Sequence, residues 1–163
     1  MSKNIDYSID DLITKASAYK TDSNELERIR KGYYYAKECH EGQFRKSGEP
    51  YIYHPLATAI ILTTVYADSD TIIAGLLHDV IEDCGITREQ VEEEFGPEVG
   101  KLVYGVSKLG WINFSTENEY LIDYYKKIIV GMSEDPRVII VKLADRFIIW
   151  ELYMHFLRLN KRK

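Results

Sequence analysis

The chain has 163 residues, enough for one domain with a sizeable core. Hydrophobic residues make up 45% and charged residues 29%, as in ordinary globular proteins, and the net charge of -5 argues against a general nucleic-acid binder. No run approaches the roughly 18 apolar residues of a membrane span. The first residues do not resemble a signal peptide, and Cys39 and Cys84 form no metal-type pair, so we expect a reduced, cytoplasmic protein with no membrane or nucleic-acid partner.

Apolar residues recur at helical spacing along almost the whole chain. A short apolar stripe covers residues 9–16, and a second helix is predicted from Ser23, where Ser-Asn-Glu-Leu offers capping chemistry, to about His40. Residues 42–55 contain glycine and proline and predict a turn-rich loop. Further helices are predicted at about 54–66, 69–82, 87–95, 97–108 and 116–133. Thr87 and Gln90 form a capping-box pattern at the start of the 87–95 helix.

The last predicted element follows Asp135-Pro136 and is rich in Val, Ile and Leu through Leu143. Its β-branched content alone would also suit a strand. We predict a helix, because the chain offers no second strand for pairing. The expected fold class is therefore all-α, in a single domain.

Four titratable side chains stand close together in residues 76–83, which read Leu-Leu-His-Asp-Val-Ile-Glu-Asp. Glu82 is four residues after His78 and Asp83 is four after Asp79, so each pair is expected to share a helix face. Polar groups at the end of an apolar helix need a reason to be there, and a catalytic cluster is one. The alternative is a helix end with solvated acids and one buried histidine.

Two other segments add possible metal ligands. His54 precedes Pro55, and Asp145 follows an apolar helical run; each residue alone is more often structural than functional. Together with His78 and Asp79, they give two imidazoles and two carboxylates, which suit a divalent first-row ion that keeps positions open for water or substrate.

The loop before His54 carries two adjacent cations and a hydroxyl in Gln43-Phe44-Arg45-Lys46-Ser47-Gly48. Such a loop could bind phosphates, although the side chains of an isolated Arg-Lys pair are more often simply exposed to solvent.

Several of these segments resemble the Rel/Spo-type alarmone hydrolase family. Residues 40–55, His-Glu-Gly-Gln-Phe-Arg-Lys-Ser-Gly-Glu-Pro-Tyr-Ile-Tyr-His-Pro, resemble the opening motif of that family. Residues 76–83 resemble the family's central His-Asp motif with its Glu-Asp pair. Residues 95–109 resemble the segment that follows this motif, and residues 135–146 resemble the last motif of the family. The resemblance covers roughly residues 25–146, in the family's order and spacing.

This resemblance implies a single HD-type helical domain over residues 1–163, a metal-dependent phosphohydrolase that removes the 3′-pyrophosphate of (p)ppGpp, the stringent-response alarmone, to give GDP or GTP plus pyrophosphate. It also implies a bound Mn²⁺ and assigns three sets of residues. The metal ligands would be His54, His78, Asp79 and Asp145. Glu82 and Asp83 would activate water, and the guanine nucleotide would contact Arg45, Lys46, Ser47 and Lys142.

The chain departs from the family after Arg146. Long members continue into a synthetase domain, which we expect to be absent from a chain that stops at Lys163. The family also continues Leu-His-Asn-Met-Arg-Thr-Leu, where this chain has Phe-Ile-Ile-Trp-Glu-Leu, and Ile149 cannot hydrogen-bond a nucleotide as the family's Asn does. Two alternatives therefore stay open: an HD-type phosphohydrolase of another nucleotide, or a truncated, catalytically impaired remnant that binds guanine nucleotide.

A shifted reading frame is one hypothesis for this divergent tail. With one base restored after the Arg146 codon, a chosen back-translation of residues 147–156 reads Leu-His-Asn-Met-Gly-Thr-Leu-Tyr-Ala-Phe. The hypothesis predicts that residues 147–163 pack poorly, with Trp150, Tyr153 and Phe156 at positions not selected for burial.

Overall fold

The computed structural model describes the backbone of residues 7–110 and 134–160, and the side chains of residues 7–109 and 134–148. These residues form eight helices and no strand, in agreement with the predicted all-α class. The helices are α1 (Ile9–Ser17), α2 (Ser23–Cys39), α3 (Tyr53–Thr64), α4 (Ser69–Leu77), α5 (Val80–Asp83), α6 (Arg88–Phe95), α7 (Pro97–Gly110) and α8 (Pro136–Asn160). The predicted run at 116–133 lies outside the described residues. None of the helices described is long and apolar enough to cross a membrane.

Side-chain caps set most of the helix starts. Thr87 and Gln90 form the predicted capping box at the start of α6, and the Asp68 carboxylate accepts from the backbone N–H of Thr71 at the start of α4. The start of α2 was predicted correctly, but its cap is Asp22 rather than a residue of the Ser-Asn-Glu-Leu run. Asp22 stands one residue earlier, outside the helix, where its carboxylate reaches the N–H of Asn24.

The centre of the fold is the pair α3 and α4, which is buried on nearly every side. Helices α2, α7 and α8 pack on α4, and α8 also packs on α3. Gly75 of α4 lies against α3, where a Cβ would lie 2.5 Å from Leu62 Cδ1. This glycine allows the two central helices to touch, and the same two helices carry the first residues of the candidate site.

The predicted continuous helix over 69–82 is wrong in one respect, because it is interrupted between α4 and α5. His78 ends α4, and Asp79, with φ -100° and ψ -7°, leads into the short α5. The N–H of Asp83 donates to the Asp79 carbonyl at 2.8 Å, so helical bonding resumes at once. No glycine or proline stands at this interruption, and hydrophobic spacing alone gave no sign of it.

The final element is a helix, as predicted, and not a strand. The described part of the divergent tail includes Ile148, which is 7% exposed and therefore buried, whereas Phe147 is exposed. The expectation for Trp150, Tyr153 and Phe156 concerns side chains outside those described.

Candidate metal centre

His54 enters the site from the first turn of α3. Its side chain is buried, and its Nε2 lies 3.1 Å from Asp145 Oδ1 and 3.7 Å from Asp79 Oδ2. A turn holds it there, in which the His54 N–H donates to the Tyr51 carbonyl and Pro55 continues the helix. Proline is tolerated in the first helical turn, where no intrahelical N–H bond is lost.

His78 enters from the other central helix, at the end of α4. The ring is 1% exposed, and its Nδ1 lies 2.8 Å from the Gly75 carbonyl oxygen. A carbonyl only accepts, so Nδ1 carries the proton and Nε2 of the neutral ring presents a lone pair. This Nε2 lies 3.1 Å from Asp79 Oδ2 and 3.7 Å from Asp145 Oδ1.

Asp145 completes the cluster from α8. One ligand atom from each of His54, His78 and Asp145 lies within 4.8 Å of the other two. Asp79 adds a second carboxylate through the contacts of its Oδ2 with both imidazoles. The fold thus brings together the four side chains that the sequence suggested as ligands, although they come from three separate parts of the chain.

The donor set fits a divalent cation. His78 Nε2 is buried without a hydrogen-bond partner among the described residues, and it lies 3.1 Å from Asp79 Oδ2 and 3.7 Å from Asp145 Oδ1. Two carboxylates this close favour positive charge at the nitrogen, which a bound cation or a proton on Nε2 supplies. Two imidazoles and two carboxylates suit several first-row ions, so the donors indicate a metal site without fixing which metal.

The pKa values of the cluster also favour positive charge at this point. Burial would raise the pKa of Asp79, but the neighbouring His78 and the Tyr51 hydroxyl lower it well below its usual range. Burial likewise opposes a low pKa at Asp145, which His54, His78 and Lys142 nevertheless depress. Burial lowers the pKa of His78, but the two carboxylates outweigh this effect and raise it. Both acids are therefore ionised and available to a cation.

Glu82 and Asp83 lie on α5, beside this cluster, and both are exposed. Partial burial and the negative charges of Asp79 and Asp83 raise the pKa of Glu82, against the opposing attraction of Lys142 and His78. Asp83 stays connected to Asp79, because the Tyr51 hydroxyl lies within hydrogen-bonding distance of both carboxylates. Two acids at the edge of a buried cluster are accessible to water and to a ligand.

The predicted phosphate loop is held by its own backbone hydrogen bonds. The N–H of Arg45 donates to the Glu49 carbonyl and the N–H of Gly48 to the Arg45 carbonyl, in a tight turn where Gly48 has φ +88°. Arg45 is half-buried, whereas Lys46 and Ser47 are exposed. Among the described residues, none of these three side chains forms a hydrogen bond or ion pair with the four-residue cluster.

Lys142 contacts the cluster directly. Its Nζ lies 3.0 Å from Asp145 Oδ2, one turn along α8, and the lysine side chain is largely buried. It therefore compensates part of the negative charge of a candidate ligand. Lys142 would therefore contact a phosphate while it is paired with Asp145.

Tyr51 and Gln43 lie in the segment that resembles the family's opening motif, but the sequence alone assigned neither of them a role. The Tyr51 hydroxyl lies 2.7 Å from Asp79 Oδ2, and Gln43 Nε2 donates to the Asp83 carbonyl at 3.3 Å. The available signal was their position in the resembling segment 40–55; the spacing alone could not show which partners they meet.

Comparison with known proteins gives a consistent result. The family described as HD domain matches residues 32–155. The chain is 46% identical over 140 residues to the guanosine-3′,5′-bis(diphosphate) 3′-pyrophosphohydrolase of Vibrio cholerae serotype O1, covering 86% of this chain and 20% of that protein. It is 47% identical over 123 residues to the bifunctional (p)ppGpp synthase/hydrolase SpoT of Escherichia coli K12, covering 76% of this chain and 18% of that protein.

A solved structure also matches, that of a metazoan ortholog of SpoT said to hydrolyze ppGpp and to play a role in starvation responses. The TM-score is 0.57 at 28% identity, covering 77% of this chain and 67% of the other. The chain spans about a fifth of the length of the bacterial relatives, at 20% and 18%.

Proposed function

Since this chain belongs to the HD domain family, we propose that it is a Mn²⁺-dependent hydrolase that removes the 3′-pyrophosphate of (p)ppGpp. The products are GDP or GTP and pyrophosphate. The observation that carries the proposal is the buried group of His54, His78 and Asp145, with half-buried Asp79 in contact with both imidazoles, beside two exposed acids. The substrate is supported by similarity to relatives whose names give this activity.

His54, His78, Asp79 and Asp145 would hold the ion. A bound divalent metal lowers the pKa of water and stabilises charge on phosphoryl oxygens. The Gly75 carbonyl keeps the Nε2 lone pair of His78 directed at the site. Lys142 keeps Asp145 in place and compensates its charge.

Glu82 is the base that takes a proton from the attacking water. Its raised pKa makes it a better proton acceptor than an ordinary exposed glutamate. The water oxygen forms a bond to the phosphorus on the ribose 3′ oxygen, the bond between that phosphorus and the 3′ oxygen breaks, and the 3′ oxygen takes up a proton. Asp83, exposed next to Glu82 on α5, is the second acid that activates this water.

Arg45, Lys46 and Ser47 bind the nucleotide from the loop. A guanidinium donates paired hydrogen bonds to phosphate oxygens, and the adjacent ammonium and hydroxyl add charge and a further donor. Lys142, which is paired with Asp145, offsets charge on the pyrophosphate that departs.

The test is incubation of the purified chain with ppGpp and Mn²⁺, following GDP and pyrophosphate separately. We expect both products in equal amounts, and no release after treatment with a chelator. Asp79→Ala serves as the matched inactive control. Hydrolysis of a different nucleotide in a panel, with ppGpp untouched, would replace the substrate; calorimetric ppGpp binding without turnover would favour the impaired remnant.

A further inference from the structure

A tyrosine hydroxyl joins the two functional parts of the site. Tyr51 Oη lies 2.7 Å from Asp79 Oδ2 and 2.9 Å from Asp83 Oδ2. The first of these oxygens faces both imidazoles of the metal cluster. The second belongs to one of the two exposed acids proposed to act on water.

We propose that Tyr51 is a positioning residue for the reaction, whose hydroxyl orients the metal-binding oxygen of Asp79 and holds Asp83 beside it. The role of Tyr51 in the reaction rests on the proposed function. Its role in metal binding rests only on the geometry of the four-residue cluster. A hydrogen bond to a metal-binding carboxylate fixes the direction of its lone pairs, and losing such a bond typically weakens metal affinity or activity by about 10- to 100-fold.

The surroundings hold the ring in this position. The Tyr51 ring stacks on His40 with centroids 4.5 Å apart and planes 24° apart. The His40 Nδ1 lies 2.8 Å from Gln43 Oε1, and the N–H of Tyr51 donates to the Gln43 carbonyl at 3.0 Å. Two further contacts therefore fix the tyrosine before its hydroxyl reaches the carboxylates, as a preorganised support requires.

The effect of the Tyr51 hydroxyl can be tested separately from the effect of the loop. Gln43 Nε2 also donates to the Asp83 carbonyl at 3.3 Å, which ties the phosphate loop to α5 without the tyrosine oxygen. Tyr51→Phe keeps the ring, the stacking on His40 and the Gln43 contacts. Because this variant removes only the hydroxyl, it should weaken metal binding and slow the chemical step, with little change in nucleotide binding.

The experiment compares Tyr51→Phe with Tyr53→Phe and Gln43→Ala. Tyr53 is a matched control two residues away, because its hydroxyl meets no carboxylate within the described part of the chain. Each metal-free protein is titrated with MnCl₂ by calorimetry, and its melting temperature is measured on a separate sample. A further sample is assayed with ppGpp at saturating Mn²⁺.

We expect Tyr51→Phe to bind Mn²⁺ about 10-fold or more weakly and to lower kcat by a similar factor, with KM changed less than about 3-fold. Tyr53→Phe should match the wild type in both, and Gln43→Ala, which also frees the His40 ring, should raise KM and weaken Mn²⁺ binding less than Tyr51→Phe does. Wild-type Mn²⁺ affinity in Tyr51→Phe, or an equal loss of affinity in Tyr53→Phe, would overturn the proposal. If the wild type binds Mn²⁺ but does not hydrolyse ppGpp, the proposed function fails and the metal titration still tests Tyr51.

Discussion

Gly75 controls how closely the two central helices approach, so Gly75→Ala is a sharp test of the packing. The new Cβ would lie 2.5 Å from Leu62 Cδ1, and the Ala59 Cα is 3.7 Å away. Leu62 is fully buried, so its side chain has no solvent to swing into. Overpacking of this kind costs about 1–3 kcal/mol, whereas replacing a mid-helix glycine with alanine returns about 1 kcal/mol through helix propensity.

Gly32→Ala is the matched control, because it changes the same residue type in the middle of α2. Its Cβ would come no closer than 3.3 Å to a neighbour, Ile73 Cγ2. Both variants gain helix propensity, so the difference between their free energies of unfolding reports mainly the much closer contact with Leu62. We expect Gly75→Ala to be the less stable by about 1–3 kcal/mol, which is a melting temperature lower by at least about 2 °C.

A double-mutant cycle completes the test. Leu62→Ala opens space opposite Gly75 and by itself costs about 2–5 kcal/mol. In that background Gly75→Ala should no longer destabilise, giving a coupling of about 1–3 kcal/mol. Equal melting of Gly75→Ala and Gly32→Ala, or the same loss in both backgrounds, would refute the reasoning. Because α3 carries His54 and α4 carries His78, Gly75→Ala should also weaken Mn²⁺ binding measured by calorimetry.

Three further predictions concern the site itself. Asp79→Ala should abolish both metal binding and activity, because an incomplete ligand set holds the ion poorly; full metal content by elemental analysis would contradict this. Glu82→Gln should keep the metal but reduce the rate of ppGpp hydrolysis on the order of 10²-fold, the usual effect of losing a general base; an unchanged rate would remove Glu82 from that role. Arg45→Ala should raise KM more than it lowers kcat, because ground-state binding is lost; an unchanged KM in a folded variant would make Arg45 part of a solvated loop.

Much of the fold could be predicted from local pattern, because helix spacing and caps are local properties. Thr87 and Gln90 mark the start of α6 within four residues, and Asp135-Pro136 marks the start of α8. The interruption at Asp79 could not be predicted in this way. There Asp79 contacts the Tyr51 hydroxyl and the His54 imidazole, which belong to a distant part of the sequence, so local spacing does not show them.

The site needed more than local pattern. His54 and Asp145 are each unremarkable in the sequence, and they are 91 positions apart; only the fold brings His54 Nε2 to 3.1 Å from Asp145 Oδ1. Their assignment depended on resemblance to a family with the same motifs in the same order. Tyr51 was not assigned, because a hydroxyl that supports a carboxylate leaves no periodicity or spacing that a sequence reveals.

The burial of the site residues separates two kinds of role. His54, His78 and Asp145 are 5%, 1% and 4% exposed, and the helices that carry them form the core, so their positions are set by packing. Glu82 and the loop residue Lys46 are exposed and contribute little to that core. Rigid ligands with accessible acids and cations are what a site needs if it must hold an ion permanently and admit a large, highly charged nucleotide. It follows that substitutions at the ligands should change both stability and metal content, whereas substitutions at the exposed groups should change turnover or KM in a protein that folds and binds metal normally.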